Sequence, residues 1–219
     1  MLITRVKGIN AMGKTSGCEE APEKILKSLE EIRTNEQGKT IDKRLLDLEE
    51  IHIDNSNLEE TQKLIFENSK KIFSEQDKAI FIGGDHSISF PILQGFKETF
   101  EEPFLIVFDA HADCITSGEK IKEPTHEEWL RALIEQGFPP DNIVLVGIRN
   151  IWPQEKDFLI KNKIKIISMK ELYDDIQGVC DMIMEKSRKS DALYISVDID
   201  CIDPSYAPGT GYLEPGGLS

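Results

Sequence analysis

Short apolar runs alternate with longer amphipathic stretches along this chain. Apolar residues recurring every three or four positions mark helices, and unbroken apolar runs bounded by turn residues mark buried strands. The pattern predicts strands at Leu2 to Val6, Leu45 to Ile53, Ala79 to Ile82, Phe104 to Phe108, Ile143 to Val146, Ile164 to Ile167 and Ala192 to Val197. Helices are predicted at Pro22 to Ile32, Leu58 to Phe73, Ile88 to Phe100, Thr125 to Gln136, Gln154 to Asn162 and Asp174 to Lys186. Pro22 and Pro153 sit where proline opens a helix. Thr125, with Glu128 three residues on, reads as a capping box. This alternation predicts a three-layer α/β fold with a mostly parallel sheet covered by helices on both faces. No internal repeat or low-complexity linker interrupts it, so residues 1–219 read as a single domain.

Composition narrows the class. The chain has 26 Lys+Arg against 40 Asp+Glu, a formal charge of −14. That balance disfavours nucleic acid and anionic membranes, which need clustered cations, and is compatible with a small cationic substrate. No apolar run reaches the roughly 18 to 20 residues needed to span a bilayer. The first residues lack the apolar stretch and cleavage site of a signal peptide. None of Cys18, Cys114, Cys180 and Cys201 forms a C-x-x-C pair, and the four read as small buried hydrophobes in a reducing cytoplasm.

In parallel α/β sheets, ligands bind beyond the carboxyl ends of the strands. Three predicted strands end in chemistry-bearing loops: Gly83-Gly84-Asp85-His86-Ser87, Asp109-Ala110-His111-Ala112-Asp113 and Asp198-Ile199-Asp200-Cys201-Ile202-Asp203. Residues two apart in an extended segment face the same way, so Asp109, His111 and Asp113 can share one volume, as can Asp198 and Asp200. With His86 this makes four carboxylates and two imidazoles. Four clustered carboxylates stay ionised only with cations among them, and two dications would balance their charge. Oxygen-rich ligation with some imidazole and no thiolate favours Mn²⁺ over Mg²⁺, Fe²⁺, Ni²⁺ or Zn²⁺. Asp85 and Asp203 read as partners that orient the ligand loops.

Gly-Gly-Asp-His-Ser (83–87), Asp-Ala-His-Ala-Asp (109–113) and Ser-Val-Asp-Ile-Asp-Cys-Ile-Asp-Pro (196–204) resemble the three signatures of the ureohydrolases, the family of arginase, agmatinase and formimidoylglutamase. Pro208-Gly-Thr-Gly211 and Pro215-Gly-Gly-Leu218 are similar to that family's following stretch, and the resemblance runs from about Gly17 onward. It implies an arginase-like fold and two Mn²⁺ per chain. His86, Asp109, Asp113 and Asp198 would hold one ion, and Asp109, His111, Asp198 and Asp200 the other. His126 falls where the family keeps its catalytic histidine. The implied reaction is hydrolysis of a guanidino compound to urea and an amine, with water activated by the metals and His126 passing a proton to the leaving amine. Arginases tend to bind the α-amino acid end through an Asn and a Ser in the loop after Asp-x-His-x-Asp; here the loop is Cys114-Ile-Thr-Ser-Gly118, with Ile115 where the Asn would be. That favours agmatine, and Thr125 to Arg131 is also similar to agmatinase-type sequences. Family members are commonly trimers or hexamers. They also continue past the position of Ser219 with a helix, a strand and a glutamate that grips the guanidinium. The resemblance therefore implies a C-terminally truncated member lacking that helix and strand, weakly active by itself.

Other readings compete. Gly8 to Thr15 matches the phosphate-binding pattern G-x-x-x-x-G-K-S/T after a predicted strand. A phosphate loop needs a helix starting at Gly-Lys-Thr, whereas Ser16-Gly17 follow at once and Pro22 opens the next helix. Retention of the metal site without catalysis, and a one-metal amide deacetylase, remain open on the residues alone. Trp129 and Trp152 read as packing residues and His52 as surface.

Overall fold

The computed structural model describes residues 1–10, 14–40, 42–116, 118 and 121–219. Strands and helices alternate through two compact units, Met1–Thr99 and Phe100–Ser219. Among the described residues the named strands all pair parallel, in two sheets of three and four strands, and Thr34 and Thr40 form an isolated antiparallel bridge. The α/β class read from the pattern is therefore the class observed. No described helix is long and apolar enough to cross a membrane.

In the first unit, β1 (Leu2–Val6) lies between β2 (Asp47–Glu50) and β3 (Ala79–Gly83), with Leu2 in register with Asp47 and Ala79. β1 is buried at almost every position, as a central parallel strand must be. β2 is shorter than the predicted Leu45 to Ile53. Lys43–Leu45 form a 3-10 turn instead, capped by Asp42, whose side chain accepts from the Arg44 amide at 3.1 Å. α1 (Ala21–Leu29) stops before the predicted Ile32 because the amides of Glu30, Glu31 and Ile32 bond three residues back, tightening the helix out of register. α2 (Leu58–Glu75) and α3 (Ser89–Thr99) pack together. Gly95 permits this close approach: a Cβ there would lie 2.8 Å from Ser69 Oγ and 3.0 Å from the Lys70 amide. Phe73 seals the contact, with its ring centroid 5.2 Å from that of Phe96 and 5.5 Å from that of Phe81.

In the second unit the strand order is β6 (Lys165–Ile167), β5 (Ile143–Val146), β4 (Pro103–Phe108), β7 (Ala192–Val197). Phe104, Ile106, Val144, Val146 and Ile167 form one buried face. Leu172 of α6 (Met169–Asp174), and Val179, Met182 and Ile183 of α7 (Ile176–Ser187), pack against it. The helix predicted from Asp174 to Lys186 is α7, which starts two residues later, and α6 stands ahead of it where no helix was predicted. Ser168 opens α6 through a reciprocal capping box with Glu171, and Asp175 opens α7 by accepting the Gly178 amide at 2.9 Å. α4 (Trp129–Glu135) begins four residues after the predicted start. Thr125 and Glu128 do bond, the Thr125 amide and hydroxyl both donating to the Glu128 carboxylate, but they close a turn ahead of the helix. The Leu130 amide is taken by the Asp113 carbonyl at 3.1 Å, so the first turn is anchored by the Asp113 loop. α5 (Pro153–Lys161) follows Trp152, which is 61% exposed and so is not the packing residue expected. Cys114 and Cys201 are buried as expected, while Cys180 is exposed on α7. His52 is on the surface.

Candidate metal centre

Register brings the carboxylates of the second unit to one sheet edge. Phe108 pairs with Val146 on one side and Val197 on the other, so Asp109, Gly147 and Asp198 are the next residues of three adjacent strands. The ladder continues one step past the strands: the Asp109 amide donates to the Val146 carbonyl at 3.1 Å, and the Asp198 amide to the Phe108 carbonyl at 2.9 Å. Asp198 caps a 3-10 turn, Ile199–Cys201, by accepting the Asp200 amide at 3.1 Å. That turn carries Asp200 back over β4, where its Oδ1 accepts the Ala110 amide at 3.1 Å.

Ligand atoms of Asp109, His111 and Asp200 lie within 4.8 Å of one another. The His111 Nδ1 is 3.0 Å from Asp200 Oδ2 and 3.6 Å from Asp109 Oδ1. Asp109 is 1% exposed and Asp200 4%. Two buried carboxylates around one imidazole favour positive charge at that spot. Burial alone would depress the His111 pKa, yet its bonds to Asp109 and Asp200 and their charges raise it to about 11. A donor set of carboxylates plus imidazole with a strong pull on positive charge fits a divalent cation. Burial, then the charges of Asp109, Asp198 and Asp200, push the neighbouring Cys201 thiol up to about 12.

The other ligand candidates are each held by identifiable partners. Asp113 sits at φ 49°, a left-handed conformation that Asp tolerates better than most residues. Its Oδ2 accepts the Trp129 indole N–H at 2.8 Å. Trp129 is therefore a support for a candidate ligand as well as a packed side chain. In the first unit, His86 opens the 3-10 turn His86–Ile88 directly after β3. Asp85 orients that loop by accepting the Ser87 amide at 3.0 Å and the Ser87 hydroxyl, the Thr15 hydroxyl at 2.6 Å and the Asn10 amide at 2.8 Å. Asn10 and Thr15 belong to the apparent phosphate-loop pattern, and here they serve the His86 loop. Ala11, Met12 and Gly13 of that pattern, and Ser117 of the loop after Asp113, lie outside the described residues. No helix begins at Lys14; a turn and a 3-10 helix lead to α1.

His126 is buried, 8% exposed, on the turn before α4. Its Nε2 lies 3.1 Å from the Tyr212 hydroxyl, and its Nδ1 is buried without a hydrogen-bond partner among the described residues. Tyr212 also meets the His111 ring edge-on at 5.3 Å. It belongs to a terminal segment laid across the site. Arg149 holds that segment by donating from Nη2 to the carbonyls of both Glu214 and Asp200, each at 2.6 Å. Asp203 accepts the Gly216 amide at 2.7 Å, and Leu218 pairs with residues 201 and 203. Gly217 is required there, since a Cβ would lie 2.6 Å from the Cys201 carbonyl oxygen. Tyr212, Glu214 and Arg149 carry no local motif, and only the folded chain reveals them. Asp203, read from the sequence as orienting a ligand loop, instead bonds through its carboxylate to Ser205 and Gly216.

The Arginase family model, described as the arginase family, matches residues 8–219. The formimidoylglutamase of Halalkalibacterium halodurans is 31% identical over 214 residues, covering 93% of this chain and 66% of that protein. The arginase of Staphylococcus aureus is 31% identical over 175 residues, 73% of this chain and 57% of that protein. The chain thus spans less than two thirds of the length of these curated relatives. Among solved structures, formimidoylglutamase from Bacillus subtilis superposes with a TM-score of 0.85 at 25% identity, over 99% of this chain and 70% of that one. The agmatine ureohydrolase of Thermoplasma volcanium does so at 0.82 and 25% identity, over 100% and 73%.

Proposed function

The chain belongs to the arginase family, and from that premise we propose that it is a binuclear manganese ureohydrolase with agmatine as the favoured substrate. The observation that carries the reading is the meeting of Asp109, His111 and Asp200 donor atoms beyond the strand ends. In this proposal two Mn²⁺ are held by His86, Asp109, His111, Asp113, Asp198 and Asp200. When bound, the pair supplies the water-activating Lewis acidity of a metallohydrolase.

The chain's own residues do the rest. Asp109 and Asp200 are held by backbone amides, so they arrive already oriented and cost little reorganisation. His126 passes to the leaving amine the proton it needs, with its Nε2 in hydrogen-bond reach of the Tyr212 hydroxyl. The net negative charge draws a guanidinium cation toward the site. Ile115, whose amide is tied to the Glu127 carbonyl at 3.0 Å, offers no side-chain donor for an α-carboxylate, which supports agmatine over arginine. The formimidoylglutamase relative supports formimidoylglutamate as the second substrate to try. We further read the protein as cytoplasmic and as a homo-oligomer, a trimer or hexamer.

The test is turnover of agmatine, arginine and formimidoylglutamate by the Mn²⁺-loaded chain, before and after exhaustive chelation. Turnover greatest with agmatine, read as urea for agmatine and arginine and as formamide for formimidoylglutamate, and lost on chelation is expected. Full-rate hydrolysis by the chelated protein would remove the metal mechanism, and arginine preferred over agmatine would remove the substrate assignment.

A further inference from the structure

We infer that Glu214 is a positioning residue, the carboxylate that orients His111 for metal binding; this rests on the metal reading above. The His111 ring presents its two nitrogens to different partners. Nδ1 faces Asp200 at 3.0 Å and Asp109 at 3.6 Å, whereas Nε2 meets Glu214 Oε1 at 3.3 Å. A ligating imidazole must offer a lone pair, so its proton has to sit on the other nitrogen and needs an acceptor there. Nδ1 points into the carboxylate cluster and is the ligating atom. Nε2 then carries the hydrogen, and Glu214 receives it. Such an acceptor fixes the tautomer and the ring plane together and makes the nitrogen a better donor to the metal.

Glu214 is itself held in place. Its Oε1 also accepts the Asn150 side-chain amide at 2.7 Å. Its backbone carbonyl is bound by Arg149, whose same Nη2 binds the carbonyl of Asp200. One guanidinium therefore couples the backbone of a ligand to the backbone of the residue that orients a second ligand. Tyr212 closes the ring's remaining side edge-on. A carboxylate fixed by its own backbone and by a second side chain is the kind of outer support that decides whether a metal site is tight or loose.

The test is Mn²⁺ titration of the full chain without substrate, by calorimetry and electron paramagnetic resonance, with ions counted per chain. Wild type is expected to bind two ions. Glu214→Ala should weaken one of them by about 10- to 100-fold and leave the other within a few-fold. Glu214→Gln, which keeps an acceptor oxygen but not the charge, should fall between. Two ions bound by Glu214→Ala with wild-type affinity would overturn the inference and leave the metal reading standing. Equal loss of both ions with a lowered apoprotein melting temperature would also overturn it, making Glu214 a loop anchor only. A wild type that binds no Mn²⁺ would bring down the metal reading and this inference with it.

Discussion

β4 and β7 are neighbours in one sheet, run parallel in register and each end in an aspartate of the candidate site, yet their surroundings differ. Phe104, Ile106 and Phe108 share a face with their partners Leu193, Ile195 and Val197. Over β4 that face is covered by α6 and α7, and Ile106 is 6% exposed. Over β7 the cover has ended, and Ile195 is 52% exposed. The comparison separates two things that a strand does. Burial depends on what packs over its face; delivery of Asp109 or Asp198 to the sheet edge depends only on register, which the ladder fixes.

The largest expected effect probes the burial half of that contrast. Ile106→Ala should cost about 2 to 5 kcal/mol, because it leaves a cavity among packed side chains. Ile195→Ala should stay within about 0.5 kcal/mol. Chemical denaturation of both variants measures this, and equal losses would break the comparison. A smaller effect is expected just beyond the β4 end. Trp129→Phe keeps the packed ring and removes the donor to Asp113, for a loss of about 1.5 to 3 kcal/mol, as for hydrogen bonds to charged groups. Trp152→Phe, on an exposed ring, is the matched control and should change stability by less than about 0.5 kcal/mol.

The smallest effect lies beyond the β7 end. The Ser205 hydroxyl, then the amides of Ser205 and Gly216, hold the Asp203 carboxyl down at about 2. A pKa lowered on folding stabilises the fold above the unfolded value near 3.8, and that stabilisation is lost as pH falls through about 2. Carboxyl carbon shifts followed by NMR from pH 5 to pH 1.5 should show this low midpoint. Titration near 3.8 in the folded chain would mean that Asp203 does not hold the terminal segment.

Much of this was legible in the chain itself. β1, β5 and β7 occupy the residues their apolar runs predicted; for β5 the reason is that a strand buried within a parallel sheet must be apolar along its length. The Asp-x-His-x-Asp and Asp-x-Asp loops stood out because the chemistry needs those residue types at that spacing. The separate helix α6, closed off from α7 at Asp175, and the late start of α4 were less legible. Each turns on competition for backbone donors, Asp175 taking the Gly178 amide and the Asp113 carbonyl taking that of Leu130. The capping signal Ser168-x-x-Glu171 was present and could have located α6.

The sequence by itself determined the parallel α/β class, the family signatures and the identity of the candidate ligands, since each is carried by residues close together in the chain. Only the tertiary structure decided that Glu214 would meet His111, that Tyr212 would meet His126, and that Arg149 would tie residues 200 and 214 together. These partners are separated by 51 to 103 positions, and no local pattern encodes them. They meet because register and backbone hydrogen bonds fold the terminal segment across the strand ends, a consequence of the packed chain as a whole.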